Sequence, residues 1–200
     1  TCYLSFVMKD TKQIIDIVED RRLSSLQAYF KRYTEEARSR VKHIVIDMYA
    51  PYISLIKELF PHAKIILDKF HLVQHISRAL NKTRVRFMNQ FKKHSRKVKR
   101  YWRLFLKSHT LLNTTTYRSV YCCKQPMREI DIINFLIDLS PELKSTYDLY
   151  QDLLFALQTK NLDRFNHLLE VGHPLISPEL QTAFQTFKMY QSYIKNTLTT

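Results

Sequence analysis

Two aspartates each close a short apolar run: His43-Ile44-Val45-Ile46 leads into Asp47, and Ala63-Lys64-Ile65-Ile66-Leu67 leads into Asp68. A carboxylate in such a place either caps the following helix or holds a divalent cation in the crevice beyond the strand ends. Asp68 has company in the spacing Asp68-Lys69-Phe70-His71, which puts a carboxylate and an imidazole three apart at the start of a helical pattern. On their own Asp68 and His71 are two ligands and not a metal site. His71 and His75 are four apart, the spacing of two ligands on one helix face, but the glutamate and third ligand of a zinc protease are missing. His75 therefore reads as a solvated helix residue. Gly172 is the single glycine, which excludes phosphate loops of the Walker and dinucleotide-binding kinds.

The second chemical feature is charge. The 200 residues carry 32 Lys and Arg against 18 Asp and Glu, a formal net charge of +14. Between Asp68 and Glu129 there is no acid, while sixteen of the basic residues fall there; the other sixteen are outnumbered by the eighteen acids. Helix faces often carry charge only for solvation, but such faces mix signs. This one does not, and Tyr101, Trp102 and Tyr117 are interleaved with it. The pattern points to a polyanion, most simply DNA, with Arg78, Lys82, Arg84, Arg86, Lys92, Lys93, Arg96, Lys97, Lys99, Arg100 and Arg103 as the candidate phosphate contacts.

The elements that must position these groups divide the chain into an α/β part and an all-α part. Tyr3–Met8 and Gln13–Val18 form a predicted hairpin around the polar Lys9-Asp10-Thr11-Lys12. Ser24 and Ser25 open an amphipathic helix through Leu26, Tyr29, Phe30 and Tyr33 that runs on into the charged stretch around Glu35. The run ending at Asp47 suits a strand buried on both faces. Pro51 starts a helix that ends before Pro61, and the strand ending at Asp68 completes a parallel β-α-β unit. From Phe70 onward the pattern is helical. Leu72, Ile76, Leu80, Phe87 and Phe91 form one apolar stripe, and Val98, Trp102, Phe105 and Leu106 another. Residues 109–125 are polar and Thr-rich, a loop, and Ile130, Ile133, Leu136 and Ile137 mark another helix. Ser140-Pro141-Glu142-Leu143 and Ser177-Pro178-Glu179-Leu180 share the grammar of a helix start. Gly172 is the expected stop for the helix through Leu168 and Leu169.

Composition closes off other classes. At 45% hydrophobic and 12% aromatic the chain buries a core, and no run reaches the ~20 apolar residues of a membrane span. Cys2, Cys122 and Cys123 make neither a disulfide framework nor a metal knuckle. The first residue is Thr1, with an apolar segment already under way, which reads as a piece of a longer protein.

The order of features from Val41 to Phe87 resembles the DDE transposases of bacterial insertion sequences, in the branch whose founding member came from lactic acid bacteria. The residues that carry the resemblance are Val45-Ile46-Asp47-Met48-Tyr49-Ala50-Pro51-Tyr52, Phe60-Pro61-His62-Ala63-Lys64-Ile65, Asp68-Lys69-Phe70-His71-Leu72-Val73 and Arg84-Val85-Arg86. The resemblance implies a ribonuclease-H-like mixed sheet interrupted by a long helical insertion, here residues 1–80 as a partial catalytic core and 81–200 as the basic insertion. Asp47 matches the family's second catalytic aspartate and would be a metal ligand. Asp68 and His71 match an Asp-x-x-His motif, Cys-x-x-His in mutator-type relatives, that shapes the active site. Arg21 sits where the family commonly has an arginine after its third strand.

The resemblance further implies cutting and joining of DNA strands at mobile-element ends by two Mg²⁺ or Mn²⁺ ions. Two such ions, ~3.5 to 4 Å apart, need several hard oxygen ligands. The family's first aspartate would precede Cys2, and its final glutamate, in a Gly- and Asn-containing motif, would follow Thr200. Glu129, Glu142, Glu170 and Glu179 match no such motif. The chain alone is therefore expected to bind DNA without catalysing transfer. The expected setting is the bacterial cytoplasm at the nucleoid, with mobile-element ends and target DNA as partners, a possible homo-oligomer and no membrane. A basic helical DNA-binding protein without catalysis, or a decayed transposase remnant, are the alternative readings.

Overall fold

The computed structural model describes residues 4–7, 14–121 and 125–200. The hairpin turn with Asp10, the three cysteines and Lys124 lie outside the described residues. The chain forms two compact units, residues 1–68 and 69–200.

In the first unit β1 (Leu4–Val7) and β2 (Ile14–Val18) pair antiparallel, as the hairpin pattern predicts. The helix expected to start on a serine cap is α1 (Leu23–Lys31), but its N-cap is Arg22 and no side chain caps it. Ser25 is engaged elsewhere: its hydroxyl donates to Asp20 Oδ2 at 2.6 Å, and the Arg22 backbone N–H donates to Asp20 Oδ1 at 3.0 Å. Asp20 thereby organises the turn into the helix. The helix also stops before the charged stretch, which forms a separate α2 (Glu35–Ser39), capped by Thr34 Oγ1 accepting from Ala37 N–H at 3.2 Å.

β3 (His43–Ile46), α3 (Ala50–Leu59) and β4 (Lys64–Leu67) form the predicted alternation of strand, helix and strand, and β3 and β4 pair parallel. Pro51 lies in the first turn of α3, where its missing N–H costs nothing. The expectation that β3 is buried on both faces fails. Ile44 and Ile46 are half-buried, whereas Val45 is 60% exposed, so only one face is covered. Among the described residues β3 pairs with β4 alone, and the β1–β2 hairpin is a separate sheet. β4 carries the heavier burial, with Ile65, Ile66 and Leu67 all inside.

The second unit is built on α4 (Lys69–Gln90), a 22-residue helix. A boundary drawn at residue 80 falls within this helix; the compact units divide at Asp68. Leu72, Ile76, Ala79, Leu80, Thr83, Arg84 and Phe87 form its buried stripe at helical spacing. The stripe packs on α8 (Pro141–Gln158) and α10 (Pro178–Met189). The second apolar stripe is two short helices, α5 (Ser95–Arg100) and α6 (Trp102–Leu106), broken at Tyr101, and Val98 and Phe105 face inward while Trp102 is exposed; Phe91, expected to end the first stripe, lies just beyond α4 and is exposed too. The Thr-rich segment is a loop, beginning with a 3₁₀ turn at His109–Leu111. The loop is pinned where Asn113 Oδ1 accepts from the N–H groups of Thr115 and Thr116. α7 (Glu129–Ile137), α9 (Leu162–Glu170) and α11 (Gln191–Thr199) complete the unit.

The two Ser-Pro-Glu quartets do more than share a capping grammar, because both glutamates grip one residue of α4. Arg86 Nη2 donates to Glu142 Oε1 at 2.5 Å, while its Nε and Nη2 donate to Glu179 Oε1 and Oε2 at 2.9 and 3.1 Å. One turn earlier the buried Thr83 hydroxyl meets Ser177 Oγ at 2.7 Å, and the Ser177 backbone N–H donates to Thr146 Oγ1 on α8 at 2.9 Å. Ser177 also accepts from Leu180 N–H, a working N-cap, whereas Ser140 makes no such bond. The bonds from Glu179 and then Glu142 raise the Arg86 pKa above its ordinary value.

Gly172 does not terminate α9 by a left-handed turn: Val171 is the C-cap, no described glycine has positive φ, and a Cβ at Gly172 would meet nothing within 4 Å. The left-handed position is Lys160, with φ 54°, just past the Thr159 C-cap of α8. There Asn161 N–H donates to Ala156 O at 2.9 Å, closing the helix end as a Schellman turn does.

Two stability predictions follow from these contacts. Arg86→Leu leaves two half-buried carboxylates unpaired and is expected to cost about 3 kcal/mol, with Arg86→Lys costing less because charge is kept and the fork lost; urea melts of both variants measure this. Lys160→Gly relieves the left-handed strain and should stabilise by about 1 kcal/mol, whereas Gly172→Ala should be neutral or slightly stabilising. Thermal melts showing Gly172→Ala as the harmful member of that pair would overturn the assignment.

Candidate functional site: two strand-end carboxylates and a cationic helical surface

In the first unit the ladder runs His43 to Lys64, Ile44 to Ile65, Val45 to Ile66 and Ile46 to Leu67. Asp47 and Asp68 therefore occupy the same register position, one residue beyond the last pair. The Asp68 backbone N–H donates to Ile46 O at 2.7 Å, holding the two strand ends at the usual sheet spacing of about 4.8 Å. Asp47 does not cap α3. Its N-cap is Tyr49, whose N–H donates to the Asp47 carbonyl at 2.9 Å, and the exposed Asp47 side chain makes no hydrogen bond or ion pair among the described residues. A carboxylate released from capping is open to solvent or to a cation.

Two carboxylates fall short of the donor set for a pair of metal ions, and no group of three or more His, Cys, Asp and Glu is gathered among the described residues. Arg21 is exposed, and its carbonyl accepts from the Tyr52 hydroxyl of α3 at 3.2 Å, tying the segment after β2 to the helix that follows Asp47.

In the second unit His71 lies on the first turn of α4, with its ring edge-on to Phe70. His75 is not the solvated residue its spacing suggests. It is half-buried, with its ring 5.5 Å from that of Phe187 on α10. Burial first, and then the charges of Arg78 and Lys82, lower its pKa from the ordinary 6.5.

The structure sorts the candidate phosphate contacts into two kinds. Arg84 and Arg86 turn inward. Arg84 is 7% exposed and donates to Val98 O at 3.2 Å and Asn81 Oδ1 at 3.0 Å, and Arg86 is held by Glu142 and Glu179. Sequence reasoning counted them with the others because the two glutamates that hold Arg86 lie 56 and 93 residues downstream, and the carbonyl that Arg84 reaches, that of Val98, belongs to another helix. Lys107 and Arg128 of the same acid-free block are also matched, by Glu129 and Asp131. The remaining nine candidates, Arg78, Lys82, Lys92, Lys93, Arg96, Lys97, Lys99, Arg100 and Arg103, have no acidic partner among the described residues, and all but Lys97 are exposed. They occupy α4, α5, α6 and the turn between α4 and α5. Beside them a depression of about 460 Å³ is lined by Asn81, Lys82, Val85, Arg86, Asn89 and Gln90. A second, of about 370 Å³, has Lys144, Asp148, Asp152 and His173 in its wall, and its mixed charge suits no polyanion.

A family model described as Transposase, of the DDE type named for the insertion sequence ISL3, matches residues 2–200. The chain belongs to this DDE transposase family. A curated relative, the "ATP-dependent protease" of Lactococcus lactis subsp. lactis, is 35% identical over 72 residues, 36% of this chain and 23% of that protein. The match thus spans under a quarter of that relative's length. No solved structure matches the chain. No helix among the described residues is long and apolar enough to cross a membrane.

The His75 environment predicts a pH dependence. A folded pKa below the unfolded one means that the folded state favours the neutral ring. This contribution is fully present above about pH 6.5 and is lost as pH falls through the lower folded pKa. Urea melts between pH 7.5 and 5 should show the wild-type chain losing stability toward acid, with His75→Gln losing less over the same interval.

Proposed function

We propose that the protein to which these residues belong cuts and joins DNA strands at the ends of a mobile element. In this reading the helical unit holds the DNA and Asp47 contributes one carboxylate to a divalent-metal centre. The observation that carries the DNA part is the set of nine unmatched cations from Arg78 to Arg103, gathered in one compact unit. Each cation placed on a phosphate releases condensed counterions, so binding is strong at low salt and largely independent of sequence. A small anion would need only two or three of them.

The catalytic part rests on family membership and on the parallel pair of strands that brings Asp47 level with Asp68. We read these strands as part of a ribonuclease-H-like sheet and the helical unit as its insertion, with Asp68 and His71 shaping the active site. Mg²⁺ or Mn²⁺ suits carboxylate oxygens, and the further carboxylates would come from outside the described residues. With Asp47 as its one assigned metal-binding carboxylate, the 200-residue chain by itself is expected to bind DNA without transferring strands. The name of the Lactococcus relative suggests ATP-dependent proteolysis; with one glycine in its length this chain offers no Walker-type loop for ATP.

Duplex DNA binding followed by anisotropy across a salt series tests the DNA-holding part. The plot of log K against log salt should be steep and linear, and replacing Lys92, Lys93 and Arg96 by Gln should reduce its slope by up to about 3, at about 0.9 per phosphate contact. A slope unchanged by the triple replacement would count against the surface. In the intact protein, Asp47→Ala should abolish transposition in cells while leaving DNA binding unaltered, and retained transposition would remove Asp47 from the centre.

A further inference from the structure

Three exposed aromatic rings meet three of the unmatched cations within one short stretch of chain. Lys97 Nζ lies 4.8 Å from the centroid of Phe135, the Arg100 guanidinium 5.0 Å from Tyr121, and the Arg103 guanidinium 5.6 Å from Trp102. Phe135 is 38% exposed, Trp102 41% and Tyr121 42%, so none is a core residue. Two of the rings come from far along the sequence. Phe135 belongs to α7, and Tyr121 is brought in from the loop, where its backbone N–H donates to the Tyr101 hydroxyl at 3.0 Å. The fold therefore assembles aromatic rings onto residues 97–103.

Phosphate contacts alone do not require these rings. Part-exposed aromatic rings standing beside cations are the combination used by single-strand-binding surfaces, where the rings stack bases and the cations hold the backbone. Bases of a paired duplex are stacked on one another and present no free face, whereas unpaired bases stack on aromatic rings and on guanidinium planes.

We propose that the α5–α6 junction is a binding site for unpaired DNA, with Trp102, Tyr121 and Phe135 stacking bases while Lys97, Arg100 and Arg103 hold the intervening phosphates. The inference rests on the DNA-holding role proposed above and specifies the form of DNA: a strand end or junction with bases out of the duplex. The charge complementarity comes from the same three cations, none of which has an acidic partner among the described residues.

Trp102 is the single tryptophan of the chain, so its fluorescence reports on the site directly. The 200-residue chain is titrated with oligo-dT, with a blunt duplex of equal length, and with that duplex carrying an unpaired tail. Oligo-dT and the tailed duplex should quench Trp102 emission, and the blunt duplex should leave it nearly unchanged. Trp102→Leu, Tyr121→Leu and Phe135→Leu should each weaken oligo-dT binding at least about 5-fold, as expected for the loss of one stacked base, with blunt-duplex binding within about twofold of wild type. Trp102→Phe should recover most of the oligo-dT affinity, and thermal melts confirm that each variant is folded.

Unquenched emission, or ring variants that weaken oligo-dT and duplex equally, would overturn the stacking site. If salt-dependent duplex binding persists in that case, the DNA-holding role stands without it. If neither DNA form binds in a salt-dependent way, both readings fall.

Discussion

The helical unit depends on one guanidinium. Arg86 lies near the C-terminal end of α4 and is gripped by Glu142 from the first turn of α8 and Glu179 from the first turn of α10. Both glutamates follow a proline at the first helical position, so each stands in the first turn of its helix, where a carboxylate is favoured by the helix dipole. A single cation between two such acids fixes the starts of two helices against a third. Thr83, Ser177 and Thr146 lock the same junction with neutral hydrogen bonds, and the desolvated polar groups there are matched to one another. Burial works against the charged form of Glu179, yet the bonds from Arg86 and the surrounding donors still hold its carboxyl below the ordinary value.

That internal use of charge changes the meaning of the basic block. Sixteen cations without an intervening acid read as one uniform surface in sequence, but acids downstream reach back to claim Arg86, Lys107 and Arg128, and Arg84 turns into the interior. What remains is a smaller and better defined set, centred on α5, α6 and the exposed side of α4. A helix that is cationic on one face and buried on the other can be both a structural spine and a ligand surface, because its 3.6-residue period separates the two roles.

The first unit is arranged differently. Its candidate site comes from strand register and not from a charge pattern: parallel pairing brings Asp47 and Asp68 level, and α3 begins at Ala50, directly after its N-cap Tyr49, without needing the Asp47 carboxylate as a cap. Membership of a DDE transposase family gives such a pair of strand-end acids a chemical context.

Much of this was legible in the sequence, where period and composition decide the outcome. The hairpin strands, the β-α-β unit, the buried stripe of α4, the helix starts at Pro141 and Pro178, and the family itself could be read from alternation, helical spacing and motif order. Local rules failed where a contact outside the pattern intervened. Ser25 bonds Asp20 and does not cap, Val45 is exposed because only one face of β3 is covered, and His75 is drawn against Phe187. Lys160, not Gly172, takes the left-handed turn, because the close of α8 required that backbone geometry whatever side chain stood there. The sequence by itself determined which residues are charged, which are apolar and at what period they recur. Only the tertiary structure decided which cations remain unmatched and which rings stand beside them, since most of these contacts, such as Arg86 with Glu142 and Glu179 or Lys97 with Phe135, join residues tens of positions apart.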